Sequence, residues 1–381
     1  MKKSIFFFIS IFVIFSIQVN SQSWSALTRL TWNSGYSAAP TIAADPGGGL
    51  HVVWQDSSPG SNEIFYKNSI EGGTAWSGPT RLTWTPISSL NPSIDADPGN
   101  NIHVVWEEWS SKWEIIYKHS TDRGNTWSGP IRLTYNSGVS SFASIAADSL
   151  GGIHVVWGDN TPGNHEIFYK NSFTNRMIWS NPTRLSWTPD ESATPVIAVD
   201  KGNRLHVAWC DITPGSFEIF YKVSQDGGTS WSALTRLTWN SGVSGSPSIC
   251  TDPDGVIHLV WQDNSMGNYE IFYRRSTDYG TSWSGITRLT WNFANSLFPI
   301  TAAGAGSGVH VVWQDSRFGK HEIFHRYSTN GGVSWSVLTR LTWSSGETSY
   351  PHIAADSSGG AHVVWEDDWP GNMEILYKNR K

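Results

Sequence analysis

The sequence predicts an all-β protein, a seven-bladed β-propeller with four antiparallel strands per blade, closed by an N-terminal strand that completes the last blade. Three observations carry this. A run of the form Ile/Leu-His-Val-Val-Trp returns with its histidine at His51, His103, His154, His206, His258, His310 and His362, in steps of 51 or 52 residues. A second marker, Trp24, Trp76, Trp127, Trp179, Trp231, Trp283 and Trp335, keeps the same period. Short β-branched and aromatic runs separated by Gly/Pro/Asn/Asp/Ser clusters place about four strands in each unit, and a period near 50 with four strands is the pattern of a propeller blade.

Taken in chain order, Lys2 and Lys3 precede an apolar run from Ile5 to Ile17, then Val19-Asn20-Ser21. This is the pattern of a signal peptide cleaved after Ser21. Residues 1–21 are therefore expected to be a leader and residues 22–381 the propeller, in a secreted, periplasmic or cell-surface protein. The run is too short for a spanning helix, which needs about 20 apolar residues. The first unit then supplies the strand candidates. Thr41–Ala44 is small and apolar, suits the crowded axis, and ends in the turn Asp45-Pro46-Gly47-Gly48. His51–Trp54 follows, then Glu63–Lys67, then a fourth strand from about Trp76 through Thr80-Arg81-Leu82-Thr83-Trp84. The chain enters on a fourth strand (Trp24–Trp32) and leaves on a third (Glu374–Lys378), so one strand closes the ring and leaves no open edge.

Composition agrees with this reading. Of 381 residues, 23 are Trp and 36 are Gly, and 15% are charged. The net charge of −6 becomes −8 once Lys2 and Lys3 leave with the leader, and an acidic chain has no electrostatic affinity for nucleic acid. Cys210 and Cys250 are no disulfide framework; they are read as two small buried side chains. Zinc-ligand clusters, phosphate loops and a nucleophile elbow are absent from the sequence, so no cofactor and no metal is expected. Asp252-Pro-Asp254-Gly255 is read as a turn.

The link between third and fourth strands reads Ser-x-Asp-x-Gly-x-x-Trp. It is complete at Ser120–Trp127, Ser224–Trp231 and Ser276–Trp283, and softer at Ser69–Trp76 and Ser328–Trp335. This resembles the Asp-box (BNR) repeat of sialidase-like propellers. The resemblance implies a structural turn, with Asp122, Asp226 and Asp278 capping backbone amides beside Gly124, Gly228 and Gly280, away from any active site. The sialidase arginine triad has no counterpart, because the inner-strand segments (40–45, 92–97, 143–148, 195–200, 247–252, 299–304 and 351–356) contain no Arg.

Residues present in every unit are read as blade builders: the seven His, the Glu that opens each third strand (such as Glu63) and the Arg of each fourth strand (such as Arg81), the last two expected to pair across the ladder. The same reasoning assigns 20 of the Trp to architecture. What remains is Trp109, Trp113 and Trp369, all in loops between second and third strands. Those loops share a face with the loops leading into each inner strand, which add Tyr36, Phe142, Phe293, Phe298 and Tyr350. Variable loops on a rigid scaffold carry binding, and exposed aromatics beside polar groups suit sugar rings. The expected site is a patch over blades seven, one and two: Trp109, Trp113, Trp369 and Tyr36, with Asp368, Glu108, His352 and Arg317 as polar contacts.

The function expected is non-catalytic binding of glycans, or of other cell-surface or extracellular ligands, by a monomer with no membrane span after leader cleavage. The alternatives are a carbohydrate-active enzyme, with Asp95 and Asp190 or Glu191 as its best off-pattern acids, and a protein-interaction scaffold.

Overall fold

The computed structural model describes residues 23–173, 177–369 and 371–381; the leader expected at 1–21 lies outside them. The described residues form 28 strands in seven four-stranded antiparallel sheets. In blade one these are an inner strand Ser37–Ala44, a second Leu50–Asp56, a third Glu63–Ser69 and an outer strand Thr80–Arg81. The registers Ala43↔His51, Trp54↔Phe65 and Phe65↔Arg81 tie them together.

Two strand lengths differ from expectation. The outer strand is two residues long, because Arg81 Nε donates to Thr83 O at 2.6 Å and Ile64 N donates to the Thr83 hydroxyl rather than its backbone. Those side-chain bonds draw the chain off the ladder before Trp84. The inner strand is longer, eight residues, and its register shifts between Ala38 and Thr41. The shift is a bulge with Ala39 at φ 49°.

Closure is as the repeat predicts. Thr28 and Arg29 pair with Tyr377 and Leu376, so the N-terminal strand is the outer strand of blade seven. Apolar cores lie between consecutive blades: Tyr66 and Leu82 of blade one pack with Ile102, Val104 and Trp106 of blade two. One fully buried Trp per blade (Trp54, Trp106, Trp157, Trp209, Trp261, Trp313, Trp365) anchors these seams, each a large apolar area removed from water.

The repeated polar residues build the frame. Arg81 Nη2 donates to Glu63 Oε1 at 2.9 Å, and each blade has the same pair, down to Arg29–Glu374 across the closure. In blade three His154 bridges Asp148 (3.1 Å) and the Tyr169 hydroxyl (2.7 Å), which donates to Gly227 O in the next blade's Asp-box. Burial acts to raise Asp148, but the hydrogen bonds from His154 and Gly152 outweigh it and hold the carboxyl below its ordinary range. The set looks like a catalytic triad, yet His154 has no exposed surface. Blade six replaces both ends together: Gly304 stands in the Asp slot and His325 in the Tyr slot, with His310 Nδ1 3.0 Å from His325 Nε2. The Asp-box turns form as well. Asp122 accepts from Thr126 N at 2.8 Å and from the Ser120 hydroxyl, and Asp226 and Asp278 do the same with Ser230 and Ser282.

Candidate functional site

Each blade's second-to-third hairpin and its approach to the inner strand lie at one end of the sheet, as the pairs Ser37↔Asp56 and Asp56↔Glu63 show. The Asp-boxes lie at the other. The variable loops therefore share one face, as expected.

The bulges shape the centre of that face. Ala39, Asn91, Phe142, Thr194, Ser246, Phe298 and Tyr350 occupy the same slot in the seven inner strands, all with φ between 47° and 54°. Left-handed backbone at non-glycine residues is strained and needs its surroundings to hold it. The holding group is a side chain of the preceding blade's second strand: Glu366 accepts from Ala39 N, Gln55 from Asn91 N, Glu107 from Phe142 N, Gln262 from Phe298 N and Gln314 from Tyr350 N, at 2.6–3.0 Å. The bulges then turn their side chains to the rim of a cavity of about 360 Å³ at the channel mouth, lined by Phe142, Phe298, Tyr350, a ring of Pro, and His352. Phe298 and Tyr350 lie 5.0 Å apart, ring to ring, and Phe142 and Tyr350 are exposed.

Deeper in the channel a second cavity of about 350 Å³ is lined by small inner-strand residues, with Asp95, Cys250 and His352 as departures. Burial pushes the Asp95 carboxyl up to about 6, although the Ala147 amide donates to it at 2.8 Å. Burial pushes the Cys250 thiol up to about 12, and Cys210 and Cys250 are both free thiols. Among the described residues no group of three or more His, Cys, Asp or Glu is placed to hold a metal ion, and no helix is long and apolar enough to cross a membrane.

The residues expected to form a patch sit on blades two, one and seven, mostly on hairpins and loops, with Arg317 on blade six and His352 on the inner strand of blade seven. Trp109 and Trp113 pack edge to face at 5.3 Å on blade two, leaving Trp109 exposed and Trp113 half-buried. Tyr36 is exposed on blade one. Trp369 is also exposed, but it lines a groove between blades six and seven together with Trp343. Asp368 accepts from Glu347 N at 2.7 Å. Three of the polar candidates serve the frame. Glu108 takes the hairpin slot that is Asp56 in blade one and accepts from Trp106 Nε1. Arg317 is held by two bonds to Asp315, at 2.8 and 2.6 Å. His352 points along the channel wall and accepts from Ile42 N at 3.3 Å, and burial lowers it to about 4, so it is neutral. The acids weighed for catalysis are apart as well: Asp95 is in the channel, and Glu191 pairs with His165 on the surface.

Sequence reasoning missed two things. The mouth aromatics Phe142, Phe298 and Tyr350 were legible as loop residues but ranked below the Trp; the slot that precedes Pro in six units and Ala143 in the third, occupied by an aromatic in three of the seven, is the signal that marks them. The residues ending the fourth strands were assigned to architecture. Trp32, Trp84, Tyr135, Trp187, Trp239, Trp291 and Trp343 are instead 60–73% exposed.

Glu107 shows what the bulge demands. Blades one, five and six use a neutral Gln in its place and blade seven a Glu, Glu366; burial pushes the Glu107 carboxyl up to about 7 against the bonds from Phe142 N and Asn91. A raised acid contributes stability that is complete below its unfolded value near 4.3 and is lost as pH rises through the folded value. Glu107→Gln is therefore expected to match the native protein in stability at pH 4 and to exceed it by about 3 kcal/mol at pH 8, read by denaturant unfolding at the two pH values. Equal stabilities at pH 8 would show the carboxylate to be solvated there.

The geometry defines a seven-bladed propeller with a shaped channel mouth on its loop face. The BNR repeat-like domain profile matches residues 179–363, a stretch just short of half the chain that lies within the seven-bladed propeller. No curated protein sequence matches the chain. Among solved structures, it is similar to a protein of unknown function from Dyadobacter fermentans, at 12% identity and TM-score 0.60, over 93% of this chain and 98% of that one. It is similar to a PL25 ulvan lyase, a polysaccharide lyase, at 10% identity and TM-score 0.66, over 92% and 95% of the two chains. It is also similar to the NanB sialidase from Streptococcus pneumoniae, at 14% identity and TM-score 0.52, over 93% of this chain and 70% of that one. These likenesses are of fold.

Proposed function

We propose that this is an exported glycan-binding propeller, its leader removed after Ser21, that holds saccharide at the channel mouth without chemical turnover. The observation that carries the reading is the mouth cavity rimmed by Phe142, Phe298 and Tyr350. A concave, mostly apolar site with a few polar groups suits a small ligand, and the flat faces of pyranose rings stack on aromatic side chains. Asn91, Thr194, Ser246 and neutral His352 supply hydroxyl partners around the rim. The similar structures include enzymes that act on polysaccharides and sialosides, which favours a sugar ligand.

The second reading, a hydrolase or lyase, rests on Asp95, whose raised carboxyl stands in the channel. Glycoside hydrolysis ordinarily needs two carboxyl groups about 5–10 Å apart. Among the described residues Asp95 is the one carboxylate lining either channel cavity.

The test is a glycan array on the secreted protein, followed by Phe298→Ala/Tyr350→Ala on each glycan bound. The double variant is expected to lose about tenfold or more in affinity, from two stacking contacts of about 0.5–1.5 kcal/mol each, with its melting temperature nearly unchanged. Unchanged affinity removes the mouth as the site. Release of product from any bound glycan, abolished by Asp95→Asn, replaces binding with catalysis.

A further inference from the structure

The exposed belt at the blade edges carries an inference separate from the loop-face reading. Two cavities open on the outer wall of the propeller. One, of about 430 Å³ between blades two and three, is lined by Leu133, Tyr135, Trp157, Asp159, Phe168 and Lys170 among others. The other, of about 320 Å³ between blades six and seven, is lined by Leu341, Trp343, Trp365, Asp367, Leu376 and Lys378 in the same slots. Thr161 of the first answers to Trp369 of the second, and Pro182 to Leu27 on the closing strand. The two lie four repeats apart in the chain, so the agreement slot for slot belongs to the repeat.

The floor of each pocket is apolar and rigid, with Trp157 or Trp365 buried at its base. One wall is the exposed aromatic ring. The opposite wall is a lysine: Lys170 Nζ donates to Leu133 O at 2.6 Å, and Lys378 Nζ to Leu341 O at 2.7 Å, so each ammonium spends one of its three donors on the neighbouring blade. Asp159 or Asp367 closes the pocket, held by Ser140 and Asn136 or by Ser344. In the second pocket the indole N–H of buried Trp365 has no acceptor among the described residues.

A structural explanation accounts for part of this. The lysine ammonium also lies 5.4 Å from the centre of the Trp343 ring, and Arg340 lies 5.5 Å from it, so the aromatic helps latch two blades through cation–π contacts. A latch explains the cations. It does not explain why the ring faces water at every blade, since isolated soluble proteins seldom present ordered apolar surface in this quantity without a use. Nor does it explain the open cavity beside the ring. Pocket volumes of about 300–1,000 Å³ are typical of small-molecule sites, and these two lie at the low end, where a single sugar ring fits.

We propose that the inter-blade pockets at Tyr135/Lys170 and Trp343/Lys378 each bind one neutral pyranose residue, making the propeller multivalent for a neutral polysaccharide around its rim. The ring stacks its apolar face on Tyr135, or on Trp343 and Trp369, and its hydroxyls accept from the remaining lysine donors. The carboxylate of Asp159 or Asp367 offsets the lysine charge in each pocket, so an acidic sugar gains no net attraction there and a neutral one is favoured. The five other belt aromatics repeat the exposed platform, so weak sites add through avidity.

Fluorine NMR of protein labelled with 5-fluorotryptophan, titrated with methyl glycosides of galactose, glucose, mannose and fucose, tests the proposal. The Trp343 resonance, assigned by its loss in Trp343→Phe, is expected to move at millimolar concentrations of at least one glycoside and to stay still with methyl glucuronide. The resonances of the buried Trp54 and Trp209 are expected to stay still throughout. Tyr135→Ala/Trp343→Ala is expected to weaken binding to an immobilised polysaccharide of the responding sugar by about tenfold or more, as avidity is lost, while Phe298→Ala/Tyr350→Ala leaves the Trp343 shift intact. If Trp343 does not respond to any neutral glycoside, the rim sites do not exist, whatever the mouth does. If Trp343 responds only in a protein with an intact mouth, the rim is an echo of the mouth and the proposal falls.

Discussion

A chain lacking residues 23–32 is expected to lose its single cooperative unfolding transition and to aggregate at temperatures where the intact protein is folded. Those residues are the outer strand of blade seven. Leu30, 1% exposed, belongs to the core between blades seven and one with Ile375, Trp54 and Leu50. Leu30 N donates to Ile375 O, Ile375 N to the Thr31 hydroxyl, and Ser25 N to Asn379 O, at 2.7–2.9 Å. Lys67 of blade one holds Leu30 O. Above all, Arg29 Nη2 sits 2.7 Å from Glu374 Oε1, and the Glu374 side chain has no exposed surface. Removing one partner of a buried ion pair costs about 3–5 kcal/mol, and exposing a buried Leu about 1.5–3 kcal/mol more. That sum is comparable with the whole stability of a domain, about 5–15 kcal/mol, and the bared edge of the third strand invites association. Differential scanning calorimetry with light scattering reads both effects. A circular permutant in which residues 23–32 follow Lys381 through a short linker restores the strand and is expected to melt like the native chain. A deletion variant that melts within a few degrees of the native protein would show that the closing strand is dispensable.

Gly228→Ala is expected to destabilise the protein by about 3 kcal/mol, roughly 1–2 from a φ that disfavours a Cβ and the rest from overpacking. Gly228 is the Asp-box glycine of blade four, with φ +91°, and a Cβ there would lie 2.1 Å from the Tyr169 hydroxyl. That hydroxyl is committed to His154 and, through it, to Asp148, so it has nowhere to move. Gly215 is the control. Its φ is +101° but nothing lies within 4 Å of a Cβ there, so Gly215→Ala is expected to lose only the conformational part, about 1–2 kcal/mol. Denaturant midpoints compare the two, and equal losses would mean that Tyr169 yields easily. The relay also sets an acid limit. The depressed Asp148 contributes stability that is present above its unfolded value near 3.9 and is lost as pH falls through its lower folded value. Gly228→Ala, which disturbs the relay, is expected to unfold at a higher pH than the native chain.

Most of the architecture was legible because a propeller repeats in space what it repeats in sequence. The His, Glu and Arg of each unit proved to be frame, as their recurrence implied: Glu63–Arg81 pairs across the ladder, and His154 sits in a closed hydrogen-bond chain. Subtraction failed where recurrence and exposure coincide. Trp343 recurs like Trp365, yet one is 69% exposed and the other buried. The difference lies in the two-residue outer strand, which ends at Arg81, and in the Thr83 side chain that replaces the backbone in the next bond, before Trp84 and its equivalents. Reading Thr80 to Trp84 as one continuous strand hid that step.

The expected patch over blades seven, one and two turns on a feature the sequence does not give, the lean of each hairpin. Chain position placed Trp369 beside Trp109, but a hairpin can lean toward the axis or toward the rim. Trp369 N donates to Asp367 Oδ1, and the ring lies over the seam with blade six. Meanwhile the bulges, which no local pattern announced, brought Phe142, Phe298 and Tyr350 to one mouth from blades three, six and seven.

The sequence by itself determined the number of blades, the strand order and the closing strand, because each depends on contacts within one unit or between adjacent copies of it. Only the tertiary structure decided which aromatics face the channel, which face the rim and which polar side chains are already spoken for. Those outcomes depend on where seven backbones converge, and on a strained φ held by the blade next door, a contact between residues about 35 apart in the chain that local propensity does not encode.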